Sequence, residues 1–447
     1  MLKPLVALVG LLALAACTGP NLSTQISSVR FANGAKPQGV ARSNRDLAED
    51  FLELTFGLES GVELDALLRY EKPIRIYLRG TGLAAYRPDV EALISRLRQE
   101  AELDIAETND PDEAQIFIEA VPTGQINRFF PDAACFILPG DITWRQFRRS
   151  KSGSVMRWSE QETLESAVVF LPLDTTPQDV RDCINEEITQ ALGPANDLYR
   201  LPDSIWNDDN FYGAPTPFDM LILRALYQPE LQSGMTKQQV AAQLGPILNR
   251  INPKGRNVAR KRRAPESNEW ADQIESALSQ TATRSERRTG AARAVNIAAN
   301  MNPVDHRLGV SKLTSGRLGL RVDLTEAARD FSDAYVLFKS QFGLDNIRTA
   351  QAAVHVAALA LGNEQYDLAI KLADRHIPTA LEQQNAILVA GLLSIKAEAL
   401  LLQGNTTEAQ ETRLDSLRWA RYGFGDNDGA LAREQAALTA FLSAENG

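Results

Sequence analysis

The sequence predicts a chain in two parts, an α+β region followed by an all-α region of repeated helices. Three observations carry this. Between residues 45 and 250, short β-branched runs alternate with stretches of helical spacing. From about residue 312 the chain is alanine-rich, helical and repetitive. Between them, residues 251–311 are basic, polar and interrupted by proline, as in a linker. A length of 447 residues with 44% hydrophobic content also exceeds what one domain needs.

The chain opens with Lys3 and an apolar run from Leu5 to Ala16, too short for a spanning helix. The run ends in Leu14-Ala15-Ala16-Cys17, which resembles a bacterial lipobox. The resemblance implies a lipoprotein signal peptide over residues 1–16, cleavage before Cys17 and acylation of Cys17. An ordinary signal peptide with an incidental cysteine is the alternative. Each buried methylene contributes roughly 0.8 kcal/mol, so several acyl chains hold a protein firmly to a membrane. Thr18 stands where an aspartate would retain the protein at the inner membrane, so the expected placement is the outer membrane, facing the periplasm. Residues 17–44 are turn-rich and polar and read as a flexible tether.

Charge and cysteines narrow the partners. The formal charge of −10 becomes −11 without Lys3, which argues against nucleic acid. Apart from Cys17 there remain Cys135 and Cys183. In an oxidising compartment such a pair favours a disulfide, with two buried thiols as the alternative. A bridge would close a loop of 183 − 135 = 48 positions, worth roughly 4 kcal/mol in the chain-entropy model.

Within the α+β region, Asp46 to Phe56 reads as a short helix, and Ile74 to Leu78 alternates as a strand after Pro73. Pro88 to Ala101 places Val90, Leu93, Ile94 and Leu97 on one helical face. Three further strands are predicted at Ala114–Val121, Ala134–Leu138 and Ser166–Leu171. Thr176-Pro177 then offers an N-cap and a first-turn proline to a helix over Cys183-Ile184-Asn185-Glu186-Glu187-Ile188-Thr189-Gln190, ended by Gly193.

That helix carries the chemistry of interest. In zinc hydrolases a His-Glu-x-x-His helix sets two imidazoles one turn apart with a general-base glutamate between them, and a glycine and third ligand follow. On that spacing Glu186 and Gln190 take the histidine positions, Glu187 the base, Gly193 the glycine, and Asn196 or Asp197 the third ligand. Ser204-Ile205-Trp206 sits where that superfamily has a tight turn, and Asp219 to Tyr227 resembles its closing helix. Residues 45–250 thus resemble a degenerate metzincin-like zincin, most closely the bacterial envelope lipoproteins grouped as domain of unknown function 2927. The resemblance implies a fold and brings no established activity.

Zinc at neutral pH takes imidazole or thiolate, and neither stands in this frame. The histidines, His306, His355 and His376, lie downstream; His355, in an alanine-rich helix, reads as packed or surface. A hard cation such as calcium could accept oxygens from Glu186, Gln190, Asn196 and Asp197. Adjacent Glu186 and Glu187 point about 100° apart on a helix, a poor geometry for paired-carboxylate catalysis. The expectation is an inactive site in which Glu187 and Gln190 hold the Ser204-Ile205-Trp206 turn.

Lys254, Arg256, Arg260, Lys261, Arg262 and Arg263 form the basic run of the linker, either solvated or touching an anionic polymer or lipid headgroups. A helix around Glu269–Leu278 could interrupt it. Over residues 312–447, Gly362-Asn363 recurs as Gly404-Asn405, 404 − 362 = 42 apart, and Phe342-Gly343 as Phe424-Gly425, 424 − 342 = 82 apart. These repeats resemble tetratricopeptide-type units of the longer, kinesin-light-chain-like period. Such solenoids offer a concave face to peptides or proteins, a purely structural cap being the alternative.

The expected function is therefore a lipid-anchored periplasmic adaptor with an inactive metallopeptidase-like domain and a protein-binding repeat. Its expected partners are a membrane and a protein or peptide. The alternatives are a metal-dependent peptidase or amidase with Glu187 as base, and a metal-free binder of peptide or peptidoglycan stem.

Overall fold

The computed structural model describes residues 29, 31, 40–58, 60–150, 157–207, 209 and 211–425. The leader 1–16, Cys17, most of the tether 17–44 and the repeat beyond Gly425 lie outside the described residues.

An N-terminal α/β region is followed by an all-helical region. Helix α1 (Asn44–Phe56) precedes strand β1 (Ile74–Arg79), helix α2 (Arg87–Glu100), β2 (Ile105–Glu107) and β3 (Ile116–Ala120). A one-turn helix α3 (Thr123–Ile126), β4 (Phe136–Pro139), a second one-turn helix α4 (Trp144–Phe147) and β5 (Ala167–Leu171) come next. Helices α5 (Pro177–Gln190), α6 (Pro217–Leu226) and α7 (Lys237–Ile251) close the region. The strands form one mixed sheet in the order β2-β1-β3-β5-β4. Strands β2, β1, β3 and β5 are parallel, and β4 lies antiparallel on the edge beside β5. The short β2 was not foreseen, because three residues are too few to show a period.

Burial follows from composition. All five residues of β5, Ala167-Val168-Val169-Phe170-Leu171, are buried, as expected of a strand covered on both faces. Ile116, Ile118, Ala167, Val169 and Leu171 point into a core shared with α2 and α5. Phe117, Val168 and Phe170 face a smaller aromatic core with Trp144 and Phe147. The sheet thus presents α5 on one face and leaves β4 as the rim beside it.

The stretch predicted as a basic linker is largely folded. It holds α8 (Asn268–Leu278) and α9 (Arg284–Ala299). Trp270, Ile274 and Ala277 recur at helical spacing and are buried, and Gly290 lets α9 approach α8 where a Cβ would stand 2.8 Å from the Gln273 carbonyl oxygen. Part of the basic run lies along α1: Arg260 pairs with Asp46 at 2.9 Å and Arg263 with Asp50 at 2.7 Å. These cations pair with an acidic helix face, Arg260 while still about half exposed.

Six further helices follow among the described residues: α10 (His306–Gly319), α11 (Leu324–Phe342), α12 (Ile347–Gly362), α13 (Tyr366–Glu382), α14 (Ala386–Leu402) and α15 (Thr406–Phe424). Each packs chiefly on the next in sequence. Three of the turns are alike. Glu364, Gln384 and Gly404 all take positive φ (57°, 56° and 86°). In each turn the following amide donates to the carbonyl five residues back, Gln365 to Ala360, Asn385 to Ala380 and Asn405 to Leu400. The structural equivalents are therefore spaced 384 − 364 = 20 and 404 − 384 = 20. Gly404 corresponds to Glu364 and not to Gly362, which ends its helix two residues earlier.

The two regions interlock. Arg348 on α12 is fully buried; it meets Asp209 at 2.5 Å, donates to the Pro202 carbonyl at 2.9 Å and lies over the Phe211 ring at 4.5 Å. Tyr199 and Phe211, from the loop after α5, belong to the core of the helical region. Buried His306 bonds through Nε2 to the Tyr199 carbonyl at 2.7 Å. Its pKa is pushed down to about 3 by burial, with Arg348 adding to the effect.

Replacing Arg348 with methionine would leave the Asp209 carboxylate buried without its partner. The expected loss is about 3–5 kcal/mol, measured as a lowered urea midpoint; an unchanged midpoint would contradict the interlock.

Candidate functional site

Helix α5 is fixed at both ends. Thr176 and Asp179 exchange hydrogen bonds as a capping box, with Pro177 in the first turn. At the other end Gly193 has φ +136°, and an added Cβ would stand 2.6 Å from the Leu68 carbonyl oxygen. Only glycine allows the chain to turn that close to its neighbour. The Tyr227 hydroxyl donates to the Leu192 carbonyl at 2.9 Å, holding the same end from α6.

The turn beneath the helix is built by Asp219. Its carboxylate accepts from the Ser204 hydroxyl at 2.6 Å, the Ile205 amide at 3.0 Å and the Thr216 amide at 2.7 Å. Trp206 then donates its indole N–H to Thr189 Oγ1 on α5 at 3.1 Å. Burial lifts the Asp219 carboxyl to about 6, and the Ser204 bond and the two amides oppose that rise. The three stretches singled out in the sequence, the helix, the Ser-Ile-Trp turn and the Asp…Tyr helix, are thus one hydrogen-bonded unit. Asp219 and Thr189 bond the turn directly, while Gln190, expected to hold it together with Glu187, bonds Asp197.

The polar positions of α5 open on a cleft of about 740 Å³. Glu186, Glu187, Gln190 and Asp197 line one wall, and Asp132, Cys135, Phe136 and Ile137 line the β4 side. Gln190 donates to both Asp197 oxygens, at 2.9 and 2.8 Å. Asn196 turns away: its amide nitrogen bonds the Glu53 carbonyl at 2.9 Å. Asp197, then, and not Asn196, joins Gln190 in the cleft. Cys135 and Cys183 are disulfide-bonded, tying β4 to α5 across a separation of 48. Cys17 lies outside the described residues.

The helical region supplies the opposite wall. Asp272, Glu275, Ser276 and Ser279 of α8 and the residues after it line the same cleft. They were not foreseen as site residues, because α8 fell inside the expected linker. The available signal was the helical spacing of Trp270, Ile274 and Ala277, which sets Asp272 and Glu275 on the exposed side. A second groove of about 550 Å³ shares Asp132, Cys135, Glu186, Glu275 and Ser279 with the first. It runs on between Asp179 and Asp182 of α5 and Gln351, His355, Ile387 and Gly391 of the helical array. There His355 stacks on Phe331 at 4.3 Å and accepts from Arg317 at 3.2 Å. Burial and that arginine hold its pKa well below the usual histidine value.

Oxygen donors dominate this site, and no imidazole reaches α5 from the histidines named above. Among the described residues, no three His, Cys, Asp or Glu side chains are placed to hold one metal ion. Zinc does not fit this set, since its preferred nitrogen and sulfur donors are missing from the cleft.

Residues 44–245 match the model of a family described as "Protein of unknown function (DUF2927)" and so carry that domain. No curated protein and no solved structure matches the chain. No helix among the described residues is long and apolar enough to cross a membrane.

Asp182 gives the site a pH signature. It accepts from Gln178 at 2.7 Å and abuts Gly213, where an added Cβ would stand 2.3 Å from its oxygen; burial lifts its carboxyl from 3.8 to about 7. Between those pH values the folded chain keeps a proton that the unfolded chain releases, so this carboxyl lowers stability as pH rises through the window. Asp182→Asn retains the acceptor oxygen. It is expected to melt like the parent near pH 4 and above it at pH 8; equal melting temperatures at pH 8 would refute the assignment.

Proposed function

We propose that the protein is a lipid-anchored adaptor of the bacterial envelope, attached through Cys17 at the outer membrane and facing the periplasm. Its N-terminal region is a zincin-like domain without catalytic metal, and its helical region is a tetratricopeptide-like array. The observation that carries the reading is the pairing of Gln190 with Asp197. The positions that would supply a second and third metal ligand bond each other, and a carboxamide brings no lone pair comparable to imidazole nitrogen. Glu187 then has no metal-activated water to deprotonate.

The three equivalent turns at Glu364, Gln384 and Gly404 support the repeat assignment. The groove shared by α5 and the array supports an adaptor that takes a peptide or protein segment between its two regions. The array turns Gln351, His355 and Ile387 toward its own N-terminal region, so a partner would enter that groove and not an open concave face. The competing reading is a peptidase or amidase using a hard, oxygen-ligated cation with Glu187 as base. It draws on the same cleft, whose acidic walls hold six carboxylates, Asp132, Glu186, Glu187, Asp197, Asp272 and Glu275.

Elemental analysis of the purified full-length chain, with calcium and zinc titrations followed by thermal melting, separates the two. The expected result is no stoichiometric metal and an unmoved melting curve. A bound ion lost on Gln190→Ala, together with turnover abolished in Glu187→Gln, would establish the enzyme instead.

A further inference from the structure

Outside this cleft, a groove of about 450 Å³ lies between α2, the middle of α5 and the end of α15. Arg181 lines it and is only 7% exposed. Its guanidinium lies over the Tyr422 ring at 4.0 Å and donates through Nη2 to the Tyr422 carbonyl at 2.8 Å. A longer bond reaches Gln178 at 3.4 Å, and Nε is buried with no hydrogen-bond partner.

What Arg181 lacks, among the described residues, is a counter-ion. The buried arginines Arg200, Arg307 and Arg348 each pair with a carboxylate, to Asp50, Asp305 and Asp209. Among the described residues, no carboxylate lies within ion-pair distance of Arg181. Arg224 shares that lack, but its guanidinium bonds the Ile251 carbonyl at 3.0 Å and lines none of the grooves described above. Arg181 stands in the second turn of α5, beyond the first-turn Asp179 that caps the helix. Its cation favours negative charge at this place.

The surrounding chemistry fits a small anion carrier. Arg96 adds a second guanidinium, already paired with Glu100 at 2.6 Å, and Ser95 and Asn185 add neutral polar groups. Tyr86, Tyr422 and Phe31 supply aromatic walls; Phe31, from the stretch read as tether, packs on Trp419 and Tyr422 at 4.9 and 5.5 Å. Asp89 and Glu91 stand on the opposite side of the groove, so a bulky polyanion would meet like charge.

We propose that this groove binds a small ligand through an oxyanion, carboxylate or phosphate, received by Arg181, at a site separate from the α5 cleft. Planar guanidinium and planar or tetrahedral oxyanion match as paired donors and acceptors.

The test is isothermal titration of the full-length chain, at low ionic strength, with sodium acetate, inorganic phosphate and diglycine as probes. Saturable one-site binding of at least one probe is expected, and the tightest names the anion class. Arg181→Lys, which keeps the charge and loses the fork, should weaken it at least tenfold. Because Arg181 also braces Tyr422, a second variant leaves it in place: Ala92→Glu puts a carboxylate into the groove and should abolish binding while melting near the parent. No heat with any of the three probes would overturn the proposal, as would binding that survives both variants.

Discussion

The relation between the two regions depends on one buried ion pair. Arg348 reaches out of the helical array to Asp209, and neither side chain touches solvent appreciably. Burial alone would push the Asp209 carboxyl upward, and the guanidinium opposes that rise. Such a pair adds little net stability over an apolar contact, but it tolerates almost no displacement. Arg348 further engages the Pro202 carbonyl and the faces of Phe211 and Tyr212. Pro202, Asp209, Phe211 and Tyr212 are thereby held against α12, close in sequence to the Ser204-Ile205-Trp206 turn under α5. The geometry of the cleft is consequently tied to the helical array, and the array supplies the cleft's second wall through α8.

The second constraint is the donor convergence on Asp219. Two backbone amides and a hydroxyl aim at one buried carboxylate, so neither an amide nor an apolar side chain could replace it without leaving donors unsatisfied. Through Trp206 and Thr189 this carboxylate positions the middle of α5. Gly193 and Tyr227 position its end, and the disulfide from Cys135 fixes its first half to the sheet rim.

Much of this was legible in the sequence, for identifiable reasons. Strands such as Ala167–Leu171 are continuous apolar runs, and α5 carries a cap, a first-turn proline and a terminal glycine, all strong local signals. The Cys135–Cys183 bridge was the favoured of two readings of the cysteine count, two buried thiols being the other. The partners within the site were less visible. Gln190 contacts Asp197 and not Asn196 because Asn196 is drawn to the Glu53 carbonyl on α1, a long-range contact no spacing rule reveals. Asp272 and Glu275 were hidden because the basic run before them suggested solvent, whereas Arg260 and Arg263 pair with α1. The turn equivalence was misread by two residues, since identical Gly-Asn pairs drew attention while the conserved feature is conformational: a positive φ taken by Glu364 and Gln384 as well as Gly404.

These restraints also bear on the proposed kinship with zincins, whose frame here would have to stand without imidazoles. In metal-dependent folds the ion contributes folding free energy, and loss of its ligands loosens the structure around it. Here each element that would surround the ion has another restraint. The capping box and disulfide hold the start of α5, Gly193 and Tyr227 hold its end, and Asp219 holds the turn below it. The Gln190–Asp197 pair links the helix to the loop that would have carried the third ligand. Hydrogen bonds, a disulfide and buried ion pairs thus support the walls of the cleft. A surface held in this way suits the adaptor role proposed above, since recognition needs a fixed surface more than it needs a Lewis acid.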